Sequence, residues 1–321
     1  MSQAKGYMGR TTLFFEPTYK GTPSPKNGLI IPFNKNTVQL KQGIIKTNTI
    51  LNRRDAAKPG LGRKTADGAL EVPSCYRTMG YILKAILGAP TTTGAGPKYT
   101  HVFKISKTAT QPSVKIEKAF TDIGKYYLAE GVKIVKLSTK YGIGDSEHIH
   151  TIDLFGSTET SSGTEYDSAA TPVVLNRMND YQASIKEGGS TVTNIANIEF
   201  SLDMGLDLEQ FAIGSENARA DIPEGQVVIS GKLTALFTDT AILEKAVAGT
   251  KSSIEIISED VSGNSLAYKL PEIMYSVTSP PIEGPTGVRV DADFSAFYEN
   301  DAGDSSAIIT LVNDVASYAL A

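Results

Sequence analysis

Two stretches of this 321-residue chain repeat one pattern about 160 residues apart. Gly68-Ala69-Leu70-Glu71-Val72 leads into a helical stretch closed by Lys84-Ala85-Ile86-Leu87-Gly88, and Gly231-Lys232-Leu233-Thr234-Ala235-Leu236 leads into one closed by Lys245-Ala246-Val247-Ala248-Gly249. Downstream, Gly131-Val132-Lys133 and Gly287-Val288-Arg289 each open an apolar-polar alternation, and the halves end on strand-like segments at 149–154 and 307–312. A repeat narrows the folds available, because a unit that cannot bury its apolar face alone is completed by its copy. The expectation is two units, 1–160 and 161–321, assembled with pseudo-symmetry and not around a single catalytic cleft.

Most segments read as strands: rich in Val, Ile, Thr, Tyr and Phe and bounded by Gly, Pro, Asn or Asp. They fall at 29–31, 37–50, 114–120, 132–141 and 149–155, then 193–211, 227–237, 254–257, 267–277, 288–298 and 307–312. Alternation is clearest where Phe200, Leu202, Met204, Leu206 and Leu208 share one face and Glu199, Ser201, Asp203, Asp207 and Glu209 the other. Two helices interrupt the strands. One is expected at about 75–87, capped by Ser74, with Met79, Ile82, Leu83, Ile86 and Leu87 on one stripe and Gly88 as its left-handed stop. The other, at about 239–248, is capped at Thr238 or Asp239 and stops at Gly249. The fold class is therefore mainly β: two tandem β-sandwich or barrel units, each with one flanking helix.

No apolar run reaches the roughly 20 residues that cross a bilayer. Met1-Ser2-Gln3-Ala4-Lys5 lacks the apolar core of a secretory signal, and the lone Cys75 excludes an internal disulfide framework, so a reducing cytosol is the expected place of folding. The net charge of -4 conceals a split. Residues 1–160 carry 23 Lys and Arg against 11 Asp and Glu, and 161–321 carry 8 against 24, so the halves stand at +12 and -16. Opposite fields of that size would steer one half against the other half of a neighbour. The thinly spread lysines lack the aromatic-basic clustering of a nucleic-acid platform.

Signals for catalysis are weak. Gly60-Leu61-Gly62-Arg63-Lys64-Thr65 fails the phosphate-loop pattern, because Arg63 separates glycine from lysine. His148-x-His150 would need Asp145 or Glu147 to complete a metal site and reads better as polar residues near a hairpin turn. No Gly-x-Ser-x-Gly elbow is present, and nothing calls for a cofactor. Residues 156–170 read as the linker between units. The long basic stretch 53–68, with Arg53, Arg54, Lys58, Arg63 and Lys64, and its counterpart 214–225, with Glu216, Arg219, Asp221 and Glu224, read as loops that contact a neighbouring ring or subunit.

Several runs, in order, resemble the phage tail tube proteins with a duplicated tube fold. Phe15-Glu16-Pro17-Thr18-Tyr19-Lys20-Gly21-Thr22-Pro23 resembles that family's Glu-x-x-x-Gly-Thr-Pro opening. Asn52-Arg53-Arg54 running to Asp67-Gly68-Ala69-Leu70-Glu71-Val72, and the helix ending Leu87-Gly88, follow suit. Ile222-Pro223-Glu224-Gly225 with Gly231-Lys232-Leu233-Thr234, then Leu270-Pro271-Glu272-Ile273 and Ile282-Glu283-Gly284-Pro285, are similar to its second half.

The resemblance implies a non-enzymatic virion protein whose rings stack into a hollow conduit for the genome. A fused pair would need three chains per pseudo-hexameric ring. The implied partners are copies of itself, a tape measure protein, tail terminator or baseplate proteins, and double-stranded DNA in passage. Assembly would take place in the host cytoplasm, and a non-contractile, siphovirus-type tail is the expected setting. Glu199, Asp203, Asp207, Glu209, Asp291 and Asp293 are then the candidates to line an acidic lumen, which repels phosphates. Alternatives are a tail terminator or baseplate hub, a two-domain surface adhesin, and a glycan hydrolase, against which the absence of Trp argues.

Overall fold

The computed structural model describes residues 3–144, 147–277, 279–282, 284–285, 287–299 and 305–318. The first half lays down β1 (Gly9–Phe15), β2 (Leu29–Ile31), β3 (Lys35–Asn36), β4 (Gln39–Ile45), β5 (Gly60–Pro73), the helix α1 (Thr78–Leu87), β6 (Thr91–Thr93), β7 (Tyr99–Lys104), β8 (Val114–Phe120), β9 (Lys125–Gly142), β10 (Ile149–Gly156) and β11 (Thr158–Ser162). The second half adds β12 (Thr171–Pro172), β13 (Ala183–Glu187), β14 (Ser190–Val192), β15 (Ile195–Asp203), β16 (Val228–Leu236), the helix α2 (Ala241–Ala248), β17 (Ser252–Glu259), β18 (Ser265–Val277), β19 (Arg289–Ala296) and β20 (Ile308–Asn313). The chain is mainly β, as its alternations predict.

The strands form two layers joined by β9. One layer runs β12–β2–β1–β8–β9–β11, and the other runs β4–β5–β10–β9–β15–β16–β19–β18. β9 can serve both because it turns at Gly131, whose φ of +59° suits glycine and whose N–H bonds Glu16 Oε1. A Cβ there would stand 2.9 Å from the Tyr19 ring. The other long strand, β18, pairs with β20 through Ser265–Lys269 and with β19 through Ile273–Val277, with Pro271 between. Proline in a central strand is tolerated at such an irregularity.

One pairing order occurs in both halves. β4–β5–β10–β9–β8 in the first is matched by β15–β16–β19–β18–β17 in the second, and the helix follows β5 and β16 respectively. By this order β19, and not the 307–312 segment, is the counterpart of β10. That segment is β20, which pairs with β7 of the first half. Both are additions to the shared order, and they clip the halves to each other.

Several local expectations are corrected. Ser74 does not cap α1; its Oγ bonds His150 Nδ1 at 2.7 Å, and α1 starts at Thr78. Residues 60–66 are strand, not loop, because β4 pairs with them. The 193–211 strand ends at Asp203, where the Asp203 carboxylate accepts from the N–H of Gly205, a residue at φ +60°. Residues 156–170 are not a free linker. Ser162 closes β11 against β9, Tyr166 meets Phe14 edge-on at 5.0 Å, and Asp167 accepts from Gly28 N. Both helices stop at the expected glycines, but only Gly249 is left-handed, at φ +61° and ψ +28°; Gly88 has φ +85° with an extended ψ of -170°.

α1 is almost wholly buried, roofed by the C-terminal segment. Tyr318 lies on Gly80, donates to Arg77 O and receives from Asn313 Nδ2. α2 has no fully buried residue. No helix among the described residues is long and apolar enough to cross a membrane.

Candidate functional site

The layer holding β5, β10, β9, β15, β16 and β19 has two unlike faces, because successive side chains on a strand point to opposite sides. Inward lie Leu137, Tyr141, Ile198, Phe200, Leu202, Ile229, Leu233, Ala292 and Phe294, all buried. Outward lie hydroxyls and charges, and this face is concave, with a trough of 1020 Å³ along it.

Strand register orders this face into rows, the first two of which line the trough. Thr151, Ser138, Ser201, Ser230 and Ser295 stand opposite one another across five consecutive strands. Beside them runs a charged row, Lys140, Glu199, Lys232 and Asp293, alternating in sign from strand to strand. On the other side run Asp153, Lys136 and Asp203. Opposite charges placed directly across an antiparallel pair stabilise it by roughly 0.2–1 kcal/mol. Lys232 Nζ meets Asp291 Oδ2 at 2.8 Å, and Thr234 Oγ1 donates to Asp291 Oδ1 at 2.7 Å. Its bonds to Lys232 and Thr234 hold the Asp291 carboxyl below the usual carboxylate range.

The strands thus bring together Glu199, Asp203, Asp291 and Asp293 on one face. Asp207 and Glu209 fall past the end of β15. Asp207 accepts from Glu209 N at 3.0 Å and Gln210 Nε2 at 2.6 Å, which lowers its pKa, and Glu209 pairs with Arg63 at 2.9 Å. The acidic reading of this face also omitted its lysines. Lys136, Lys140 and Lys232 stand among the acids, as do Asp153 and the hydroxyl row. The alternation Lys136, Ser138, Lys140 was visible in the sequence, but its cross-strand partners are set by long-range register.

The basic stretch divides in two. Arg53, paired with Asp55 at 2.7 Å, and Arg54 and Lys58 lie exposed in the connection between β4 and β5, whereas Arg63 and Lys64 are strand residues of β5. Around them apolar side chains stand in solvent: Ile44 is 66%, Ile50 94% and Leu61 69% exposed. In the 214–225 segment, Glu216 and Asp221 are exposed, and Glu216 has φ +52°.

Arg219 and Glu224 are spent inside the chain instead of being offered to a neighbour. Arg219 is buried, bonds Asp67 at 2.5 Å and the carbonyls of Gly156 and Leu208 at 2.8 Å, and lies over Phe155. Glu224 accepts from Lys133 Nζ at 2.7 Å and Gln111 N at 2.9 Å. These contacts fasten the 204–227 segment to the first half.

His148 and His150 are not turn-exposed residues either. Both are buried, and their nitrogens face Thr139, Asp180, Ser74 and Tyr268. Asp145, their candidate companion, lies outside the described residues. Among the described residues no group of three His, Cys, Asp or Glu could hold a metal ion.

The sequence model of a family described as phage tail tube protein matches residues 9–296. No curated protein matches the chain.

Proposed function

The chain belongs to the phage tail tube protein family, and from that premise we propose that it is the repeating subunit of a hollow tube built of stacked three-chain rings. Its structural role in the tail follows from the family; the ring and the lumen are the proposal. The observation that carries it is the single sheet running from β4 to β18 through the β9–β15 junction, polar and concave on one side. Two like units, 1–160 and 161–321, contribute to that sheet side by side. Three copies would close it into a barrel with no free edge.

In this reading the trough faces the bore. Glu199, Asp203, Asp291 and Asp293, joined by Asp153, exceed the interspersed lysines, so the wall keeps a net negative potential. Such a wall denies DNA phosphates the cationic partners whose counterion release drives binding. The hydroxyl row offers neutral, hydrated contact between charged rows. Asp207 and Glu209, beyond the strand, sit near the rim, with Arg63 on Glu209. The exposed β4–β5 tip with Arg53, Arg54 and Lys58 serves the contact to the next ring. A tape measure protein inside and a terminator or baseplate at the ends complete the tail, which is assembled in the host cytoplasm.

Negative-stain microscopy of the purified chain tests the class: long hollow filaments are expected, and stable monomers at high concentration would defeat it. Glu199→Gln with Asp293→Asn tests the lumen, since neutral amides remove the negative charge without setting four lysines opposite one another across β9, β15, β16 and β19. Tubes should form as in the parent, while DNA ejection from virions carrying the variant falls at least tenfold. Unchanged ejection would move these acids off the bore.

A further inference from the structure

The junction inside the chain is a template for the junction between chains. Leu70 and Leu233 each lie eight residues before the first residue of their helix, Thr78 and Ala241. On one side Asn36 stands opposite Leu70 and Ile198 opposite Leu233, so Leu40, four residues on, answers to Leu202. On the other side Ile152 stands opposite Leu70 and Ala292 opposite Leu233. Leu137 is opposite Ile152, and Val277 is opposite Ala292, so Val277 answers to Leu137. Inside the chain Leu137 pairs with Leu202, and Lys136 with Asp203.

The two edges left over have matching hydrogen-bond phase. Thr37 N–H bonds Ala69 O, so alternate residues Gln39 and Lys41 bond β5 and Leu40 points its N–H outward. That N–H meets only the Glu159 carboxylate, at 3.0 Å. Phe297 N–H bonds Glu272 O, so Met274 and Ser276 bond β19 while the backbone of Tyr275 and Val277 faces away. Residues Leu40 and Val277, which the template pairs, are both outward-facing. Hydrogen-bond direction and residue register are separate properties of the two edges, and both match.

We propose that the outer edge of β18 at Tyr275 to Val277 receives β4 of a neighbouring copy, antiparallel, with Val277 opposite Leu40 and Ser276 opposite Lys41. This rests on the tube-subunit reading and names its ring contact. Glu159 holds the place of the neighbour's carbonyl in the free chain and gives it up on assembly. Pro280 and Pro281 lack the N–H groups that continue such a ladder. The junction between copies is therefore shorter than the one within a copy, which runs on to Gly142 opposite Asn197.

Disulfide trapping tests the register. Residues opposite one another in such a pair have Cα atoms within bridging range, whereas a two-residue offset does not. Cys75 is buried and serves as a silent background. Tubes grown from equal parts of a Ser276→Cys and a Lys41→Cys preparation, then oxidised, should give a two-chain band on a non-reducing gel. Gln39→Cys in place of Lys41→Cys should give none. Tubes that form without the two-chain band, or with an equal band from Gln39→Cys, overturn the pairing. Folded single variants that fail to enter tubes which the parent protein forms would support it, since both positions lie at the surface. If the parent forms no tubes, the tube reading fails. Oxidation of the mixed variants in concentrated solution then decides the edge contact separately, a two-chain band supporting it and its absence overturning it.

Discussion

His148 and His150 stack 5.2 Å apart at the junction of the halves, and of their hydrogen-bond and ion-pair partners only Asp180 carries a charge. His150 bonds Ser74 Oγ and Tyr268 OH; His148 bonds Thr139 Oγ1, lies edge-on to Tyr141 and has Asp180 Oδ1 at 3.1 Å. Burial lowers the pKa of both rings, the more so for His150 because His148 adds like-charge repulsion, while Asp180 pulls His148 partly back. His101, bonded to Val315 O, is lowered by burial as well. For a base whose folded pKa lies below its unfolded value, the unfolded chain takes up the proton first. Stability is thus complete above the unfolded pKa near 6.5 and is lost as pH falls below it, until the folded pKa is reached. The slope should approach about 1.4 kcal/mol per histidine per pH unit. Denaturant unfolding at pH 7.5, 6.5 and 5.5 checks this, with His150→Gln expected to flatten the lower limb. A flat profile between pH 6.5 and 5.5 would show that these rings are not held neutral.

Among the elements, α1 and α2 show what a sequence period reveals and what it leaves hidden. Both helices were legible from spacing, and both stops from glycine. Their unequal burial was not, because the roof of α1 comes from residues over 200 positions away. Tyr318 seats on Gly80, where an added Cβ would fall 1.9 Å from the ring. Gly80→Ala must push out the ring and should cost about 1–3 kcal/mol, as overpacking does. Tyr318→Ala alone should cost more, by removing a buried ring. The double variant should cost clearly less than the sum of the singles, since one change vacates the space that the other needs. Additive losses in a denaturant double-mutant cycle would mean that the two do not touch. The same distance in sequence explains the slipped repeat. Local pattern matched 149–154 with 307–312, but β20 belongs to β7, a pairing no local signal carries. Likewise the acidic stripe was readable at Glu199 and Asp203, yet Lys140 and Lys232, directly across the ladder, became visible only through register.

For the molecule as a whole, two forces compete to drive polymer growth, and their sizes decide between them. The halves differ in charge by design of the sequence, +12 against -16, and the β4–β5 tip carries Arg53, Arg54 and Lys58. The same tip exposes Ile44, Ile45, Ile50, Leu51 and Leu61 on a two-stranded ribbon, an arrangement of little stability in water alone. Exposed ion pairs contribute about 0–1 kcal/mol each, whereas burying an Ile or Leu side chain contributes roughly 1.5–3 kcal/mol. Charge should therefore set how fast subunits find each other, and the apolar tip should set how much polymer forms. Raising salt from 0.1 to 1 M shrinks the Debye length from about 10 to about 3 Å. Turbidity should then rise more slowly but reach nearly the same plateau. Ile44→Lys with Ile50→Lys should abolish the plateau at either salt and leave the unfolding midpoint almost unchanged, since both side chains are mostly exposed in the single chain. A plateau that collapses with salt while surviving the two lysines would reverse the ranking and make electrostatics the force that holds the tube.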